Sequence, residues 1–158
     1  MSKHRPLAVL VAALLTAAPA LHAQDAKPAT FSLAQFRTLK WIAGSWRGVD
    51  GNGKPFYEEY RVVDDSTIGM RQYTDSTFTA VTPDSSLITW RAGVVTSKGS
   101  GSPFIAAEMT PTSVKFARGS TRNFAFTRDS PSQWTARINS GLPGVAEVVY
   151  VMRRVPRP

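Results

Sequence analysis

Short extended runs, separated by turn-forming residues, fill most of the chain after residue 45. Each run is rich in Thr, Val and aromatic side chains and alternates polar with apolar positions, as half-buried strands do. Gly, Pro, Asn, Asp and Ser punctuate the runs. The predicted strands are Trp46–Val49, Phe56–Val63, Thr67–Tyr73, Phe78–Val81, Leu87–Ala92, Phe104–Thr110, Val114–Ala117, Asn123–Arg128, Gln133–Ile138 and Val145–Val155. This pattern predicts an all-β fold, an antiparallel meander that closes into a barrel of eight to ten strands or, failing that, forms a sandwich.

One short helix is predicted ahead of the strands. Ser32 can cap its N-terminus, and Gln35 is placed to reach back to the cap. Apolar residues follow at helical spacing until Gly44, which predicts a helix over residues 32–42. The Gly- and Ser-rich segment 96–102 is expected to be the most mobile loop.

The N-terminal segment has the three-part pattern of a secretory signal peptide. Lys3 and Arg5 precede an apolar run, and small residues end at Ala23. The run is too short to span a bilayer, which needs roughly 20 apolar residues, and Pro19 would interrupt an uncleaved anchor. We therefore expect a periplasmic or secreted protein that does not span a membrane once processed. The expected organisation is a signal peptide over 1–23, a flexible lead-in over 24–31 and a single β-barrel domain over 32–158.

The expected mature chain contains neither histidine nor cysteine. The chain has no cysteine, and its two histidines, His4 and His22, lie in the predicted signal peptide. This composition excludes cysteine nucleophiles, Ser-His-Asp triads, His-ligated haem and the usual zinc sites, so we expect no cofactor and no metal.

The chain is basic. Cleavage would remove two basic residues and lower its formal net charge from +8 to +6. Scattered basic residues argue against nucleic acid as a partner, whereas the overall charge would attract an anionic envelope component.

The residues around the first predicted strand carry a family resemblance. The sequence Leu39–Gly48 includes Gly44-Ser45-Trp46 and resembles the opening of calycin-like barrels such as lipocalins and nitrobindins. Nitrobindin haem is held by a histidine, which the expected mature chain lacks. With Glu58-Glu59-Tyr60 and Thr67–Arg71 added, the pattern is more similar to the DUF6265 domain family of uncharacterised bacterial exported proteins. The resemblance covers most of residues 39–154 and implies a calycin/lipocalin-like barrel with no assigned activity.

The same resemblance implies a structural role for Gly44 and Trp46. In calycin-like barrels such a tryptophan closes one end, and an arginine of the last strand lies over its ring. Here Arg153 or Arg154 is expected to supply this cation–π contact, which stabilises by roughly 0.5–2 kcal/mol.

Successive side chains of a strand point to opposite faces, so one carboxylate of the pair Glu58-Glu59 is expected to lie inside the barrel. If Glu58 faces an apolar lumen it needs a partner, because an unpaired buried charge is strongly destabilising. Arg47, Arg71 and Arg91 are the candidates. Such a pair would either hold a polar ligand group or be a satisfied structural pair.

Large apolar side chains are candidates for the wall of a ligand cavity or for an ordinary barrel core. With the polar candidates, the predicted ligand-binding residues are Glu58, Tyr60, Met70, Arg71, Trp90, Arg91 and Trp134.

Three functions remain open from the sequence. The first is a non-catalytic exported barrel that binds a small hydrophobic or amphipathic molecule in its lumen. The second is an inhibitor-like module that binds a protein or an envelope polymer through its outer surface. The third is a cofactor-free enzyme using Glu58 with Arg71 or Arg91. Adjacent acids on a strand point to opposite faces and do not form a two-carboxylate site, so we expect no catalytic residues.

Overall fold

Each strand of the barrel pairs with its sequence neighbours, and the first strand pairs with the last. The computed structural model describes residues 27–156; the predicted signal peptide and the start of the lead-in lie outside this range. The predicted all-β meander closing into a barrel, preceded by one short helix, is confirmed. The strands are β1 (Gly44–Val49), β2 (Pro55–Asp64), β3 (Thr67–Tyr73), β4 (Val81–Arg91), β5 (Val94–Lys98), β6 (Phe104–Thr110), β7 (Ser113–Arg118), β8 (Arg122–Ser130), β9 (Gln133–Ile138) and β10 (Val148–Arg154).

The helix closes one end of the barrel. Helix α1 (Leu33–Arg37) continues as a 3-10 helix (Thr38–Ile42), and the predicted Ser32–Gln35 capping box is present at its start. Apolar side chains of both helical segments are buried in the same core as side chains from the strands. Among the residues that the structure describes, no helix is long and apolar enough to cross a membrane.

The end of the predicted flexible lead-in is fixed to this closed end. The Phe31 amide donates a hydrogen bond to the Gly93 carbonyl at 2.8 Å, and the Phe31 carbonyl accepts one from Trp90 Nε1 at 2.7 Å. The chain therefore enters the helix from the β4–β5 turn.

The predicted strand Phe78–Val81 is wrong, because residues 74–80 form a loop. The Asp75 carboxylate accepts a hydrogen bond from the Thr77 amide at 2.8 Å, which stabilises a turn. Phe78 adopts a positive φ of 54°, which is incompatible with a strand.

Two stretches predicted as turn or loop are strands instead. Residues 83–85 lie within β4, where the pairing with β3 shifts register between Arg71 and Tyr73. A proline is tolerated there because the irregular pairing does not need its missing N–H. Residues 96–98, predicted to be mobile, belong to β5, which is paired on both sides.

β1 and β10 close the barrel around Trp46 and Arg154. Trp46 is buried and donates from Nε1 to the Ile42 carbonyl at 2.7 Å, while the Arg154 guanidinium lies over its ring at 4.3 Å from the centroid. Of the two candidates, Arg154 therefore supplies the predicted cation–π contact. Gly44 has a φ of 134°, and a Cβ atom at that position would collide with the Arg154 guanidinium. The Gly-x-Trp pattern thus leaves room for the arginine, and Gly44 begins β1.

Candidate functional site

A cavity of about 590 Å³ lies at the end of the barrel away from the helix. We call it the lumen cavity. The loops at its mouth contribute Asp50, Gly99, Ser100 and Ser102. Its volume is within the range of small-molecule binding sites, roughly 300–1,000 Å³.

One wall of the lumen cavity is apolar and largely aromatic. β6 and β8–β10 supply most of it, because their alternate side chains point inward. Trp134 lies at its base, with its ring centre 4.9 Å from that of Phe126 and 5.8 Å from that of Tyr60. The apolar residues that line the cavity are Phe56, Tyr60, Met70, Phe104, Phe124, Phe126, Trp134, Ala136, Ile138, Tyr150 and Met152.

The other wall is polar and comes from β2–β5. It presents the carboxylates of Glu58 and Asp84, the amide of Gln72 and the hydroxyl of Ser97. Ser85 and Ser86 also line this side. The lumen cavity can therefore contact an apolar group on one side and hydrogen-bond a polar group on the other.

Glu58 is the most perturbed carboxyl group of this wall. Its Oε2 accepts a hydrogen bond from the Tyr60 hydroxyl at 3.0 Å. Burial raises the pKa of Glu58 from 4.5 to about 7; the hydrogen bond from Tyr60 opposes this rise, and the negative charge of Asp84 adds to it. Burial and the Glu58 charge also raise the pKa of Tyr60 well above its ordinary value. Glu58 can therefore exchange a proton near neutral pH.

The expected arginine partners of Glu58 lie outside the lumen, which corrects the prediction. Arg71 and Arg91 are exposed, and neither lines the lumen cavity. Arg47 alternates along β1 with the inward, buried Trp46, so it lies on the outer face. Within residues 27–156 Glu58 makes no ion pair; a tyrosine hydroxyl provides its hydrogen bond instead. The structure therefore brings Glu58 together with neither of the arginines that the enzyme hypothesis requires.

Three of the four predicted apolar candidates line the lumen cavity: Tyr60, Met70 and Trp134. Trp90 does not line it, because its indole donates to Phe31 at the closed end.

Glu59, the outward member of the acidic pair, is more buried than Glu58. It is 7% exposed and accepts hydrogen bonds from the Tyr73 hydroxyl at 2.8 Å and from Arg61 at 2.8 Å. The loop 74–80 folds beside it, with Phe78 packed edge-on against Tyr73 and Tyr57. We call Tyr57, Glu59, Tyr73 and Phe78 the outer cluster.

The sequence prediction missed several residues of the lumen cavity, chiefly Gln72, Asp84, Phe124, Phe126 and Tyr150. The alternation of Phe124 and Phe126 along one strand was a signal that could have identified two of them. Asp84 lies between the predicted strands Phe78–Val81 and Leu87–Ala92, so its position on the wall, within β4, was not predicted.

Comparisons with known proteins gave two matches, both to solved structures. No family model matches the chain, and no curated protein sequence does. A redesigned β-barrel is 12% identical, with 76% of this chain and 96% of that chain covered and a TM-score of 0.40. The structure of EF1p2_mFAP2b bound to DFHBI is 13% identical, with 75% and 98% covered and a TM-score of 0.34. Membership of the DUF6265 family stays a prediction.

Proposed function

We propose that the protein is an exported, non-catalytic β-barrel of the DUF6265 type that binds a small hydrophobic or amphipathic molecule in its lumen. The observation that carries this proposal is the lumen cavity of about 590 Å³, with an aromatic wall opposite a polar one. A barrel interior filled by its own side chains would have no such space.

The two walls supply different parts of the binding free energy. Each Å² of ligand surface removed from water by the apolar wall contributes roughly 25 cal/mol. Glu58, Gln72 and Ser97 offer hydrogen-bonding groups that would orient a polar end. An amphipathic ligand therefore fits better than a purely apolar or purely polar one.

The proposed export and lack of catalysis depend on the sequence. The segment before Gln24 has the features of a signal peptide. The absence of histidine and cysteine from the expected mature chain removes the commonest acid–base and nucleophilic groups. The separation of Glu58 from Arg71 and Arg91 is consistent with a binding role.

A fluorescence titration with N-phenyl-1-naphthylamine tests this proposal. We expect emission to rise on binding and to saturate at one equivalent of probe. The Ala136→Phe variant adds a phenyl ring to the wall of the lumen cavity and reduces its volume, since Ala136 is a buried part of that wall. It should weaken binding about tenfold or more.

The matched control is Ala125→Phe. Ala125 lies on β8 between Phe124 and Phe126, which line the cavity, so its side chain points outward. This variant should bind the probe as the unmodified protein does. No saturable binding, or equal loss in both variants, would contradict a lumen site.

A second candidate is binding of an anionic envelope polymer through the outer surface. Arg71 and Arg91 are exposed, and Arg47 is on the outer face. Co-sedimentation with dextran sulfate at low and high salt tests it, because an electrostatic surface contact weakens as salt rises. Binding that survives saturation of the lumen with N-phenyl-1-naphthylamine would favour this second function.

A further inference from the structure

The charged residues that line the lumen cavity are all acidic. They are Asp50 at the mouth, Glu58 on β2 and Asp84 on β4, and no lysine or arginine of the described chain lines it. This contrasts with the whole sequence, in which Lys and Arg outnumber Asp and Glu by 19 to 11. The charged side chains that line the cavity and its mouth thus have the opposite sign to the net charge of the protein.

The same cavity presents aromatic rings to its contents. Tyr60 stands on the strand of Glu58, and Phe124, Phe126 and Tyr150 form part of the opposite wall. Organic cations are attracted to the faces of aromatic rings, especially where water is excluded. The rings and the carboxylates therefore both favour a positively charged ligand, the rings through cation–π attraction and the carboxylates through their negative charge.

From this arrangement we infer that the lumen cavity selects an amphipathic organic cation, with its ammonium group beside Glu58 and Asp84 and its apolar part against the aromatic wall. This inference rests on the proposed function of lumen binding and adds the charge of the ligand. The relevant class is amines and quaternary ammonium compounds that carry an alkyl or aryl group.

Glu58 lacks a positive partner in the part of the chain that the structure describes. On its own strand it contacts Tyr60, while β4 contributes the like charge of Asp84. Its neighbours across β1 and β3 are Trp46 and Gln72, which carry no charge. The remaining acid of the cavity, Asp50, is at the mouth, and the opposite wall adds the phenol of Tyr150. A bound ammonium group would supply the missing counter-charge.

The protonation of the Glu58 carboxyl group supports a cationic ligand. Burial raises its pKa to about 7, so an empty site holds the carboxyl partly protonated at neutral pH. A cation beside it would favour the ionised form and lower that pKa. Binding of a permanent cation should therefore release a proton and strengthen as pH rises.

The test compares three probes that share a ten-carbon chain: decyltrimethylammonium, decanol and decanoate. Calorimetric titrations of the full chain give their affinities. We expect decyltrimethylammonium to bind about tenfold tighter than decanol at pH about 8.5, and decanoate to bind weakest, because the acidic groups attract the first and repel the last. The quaternary ammonium keeps its charge at every pH. Its preference over decanol should therefore shrink at pH about 5.5, where Glu58 is protonated.

Charge-removing variants locate the effect. Glu58→Gln should reduce the preference for the cation about tenfold, because it removes the attraction between opposite charges, and leave decanol binding unchanged. Asp84→Asn, at an exposed position, provides a second variant if Glu58→Gln folds poorly. The matched control is Glu108→Gln, which removes the same charge from an exposed pair with Lys115 and should change neither affinity.

The outcomes separate this inference from the proposed function. Equal binding of decyltrimethylammonium and decanol, or tighter binding of decanoate, would overturn the inference while leaving lumen binding intact. A cation preference unchanged in Glu58→Gln and Asp84→Asn would also overturn it. If none of the three probes bound and N-phenyl-1-naphthylamine did not bind either, the proposed function would fail together with the inference.

Discussion

Arg154 lies over the ring of Trp46, with the guanidinium carbon 4.3 Å from the ring centroid. The same guanidinium donates to the Ala43 carbonyl at 3.2 Å and to the Pro131 carbonyl at 3.1 Å. One side chain thus joins the last strand to the first strand, to the end of the helical segment and to the β8–β9 turn. These contacts lead us to expect that Arg154 stabilises the closed end of the barrel.

Replacement of Arg154 by alanine should lower the free energy of unfolding by about 1–3 kcal/mol, because it removes a cation–π contact and two hydrogen bonds. Urea denaturation followed by tryptophan fluorescence measures the change. Arg153→Ala is the control, since Arg153 is the adjacent arginine of the same strand and its side chain points to the opposite face from Arg154. Equal effects of the two substitutions would contradict the role assigned to Arg154.

Gly44→Ala should destabilise the barrel through Arg154. A Cβ atom there would collide with the guanidinium, and a φ of 134° is unfavourable for alanine. Gly51→Ala, where a Cβ meets nothing within 4 Å, should have little effect. In a double-mutant cycle, Gly44→Ala should be less damaging when Arg154 is already alanine. Strict additivity would show that backbone strain alone accounts for the loss.

Glu58 should make the stability of the protein fall as pH rises. Its pKa is raised from 4.5 to about 7 by burial. Below pH 4.5 the Glu58 carboxyl is protonated in both the folded and the unfolded state. Between pH 4.5 and about 7 it ionises in the unfolded chain but stays protonated in the folded protein, which favours unfolding. The free energy of unfolding should therefore drop by about 3 kcal/mol between the two pKa values.

Glu58→Gln should remove this part of the pH dependence. The variant should gain stability relative to the unmodified protein as pH rises to about 8. Denaturation at a series of pH values measures the difference between the two proteins, which cancels the titration of all other groups. A constant difference across the series would disprove the raised pKa.

Phe78→Ala should test the outer cluster. Phe78 is buried although it lies in a loop, and its ring packs against those of Tyr57 and Tyr73. We expect a loss of about 3 kcal/mol in the free energy of unfolding, as for other buried phenylalanines. Val81→Ala, at an exposed position nearby, should have little effect. Unchanged stability of Phe78→Ala would mean that the packing of Phe78 against Tyr57 and Tyr73 does not stabilise the fold.

Alternation along the strands was enough to predict the barrel, because inward and outward residues differ in polarity on most of them. Prediction from alternation failed where the composition of a segment suggested one secondary structure and its contacts in the fold produced another. The Ser- and Lys-containing end of β5 resembles a loop, yet β4 and β6 pair with it on either side. Phe78 looks like a strand residue, but the Asp75 turn places it in a loop.

The candidate site was predictable only in part. The alternation of side chains along β2 correctly predicted that Glu58 and Glu59 point to opposite faces, but it did not indicate what each carboxylate would contact. The Tyr60 hydroxyl that contacts Glu58 is two residues away on the same strand, whereas the loop that packs beside Glu59 begins after β3. The groups that contact Glu59 are the Tyr73 hydroxyl on β3 and the Arg61 guanidinium on β2. Which neighbouring side chain reaches a carboxylate depends on strand register and side-chain conformation, and this information is absent from the periodicity of a single strand.

Phe31 and Val155 are both held at the closed end of the barrel, the first by Gly93 and the second by Ser45. An affinity tag or a tether joined beyond either residue would therefore leave on the side opposite the mouth. Protein immobilised on a sensor surface through a tether next to Phe31 or Val155 should keep the lumen cavity directed toward the solution. The barrel is consequently suited to attachment at its ends without obstruction of ligand entry.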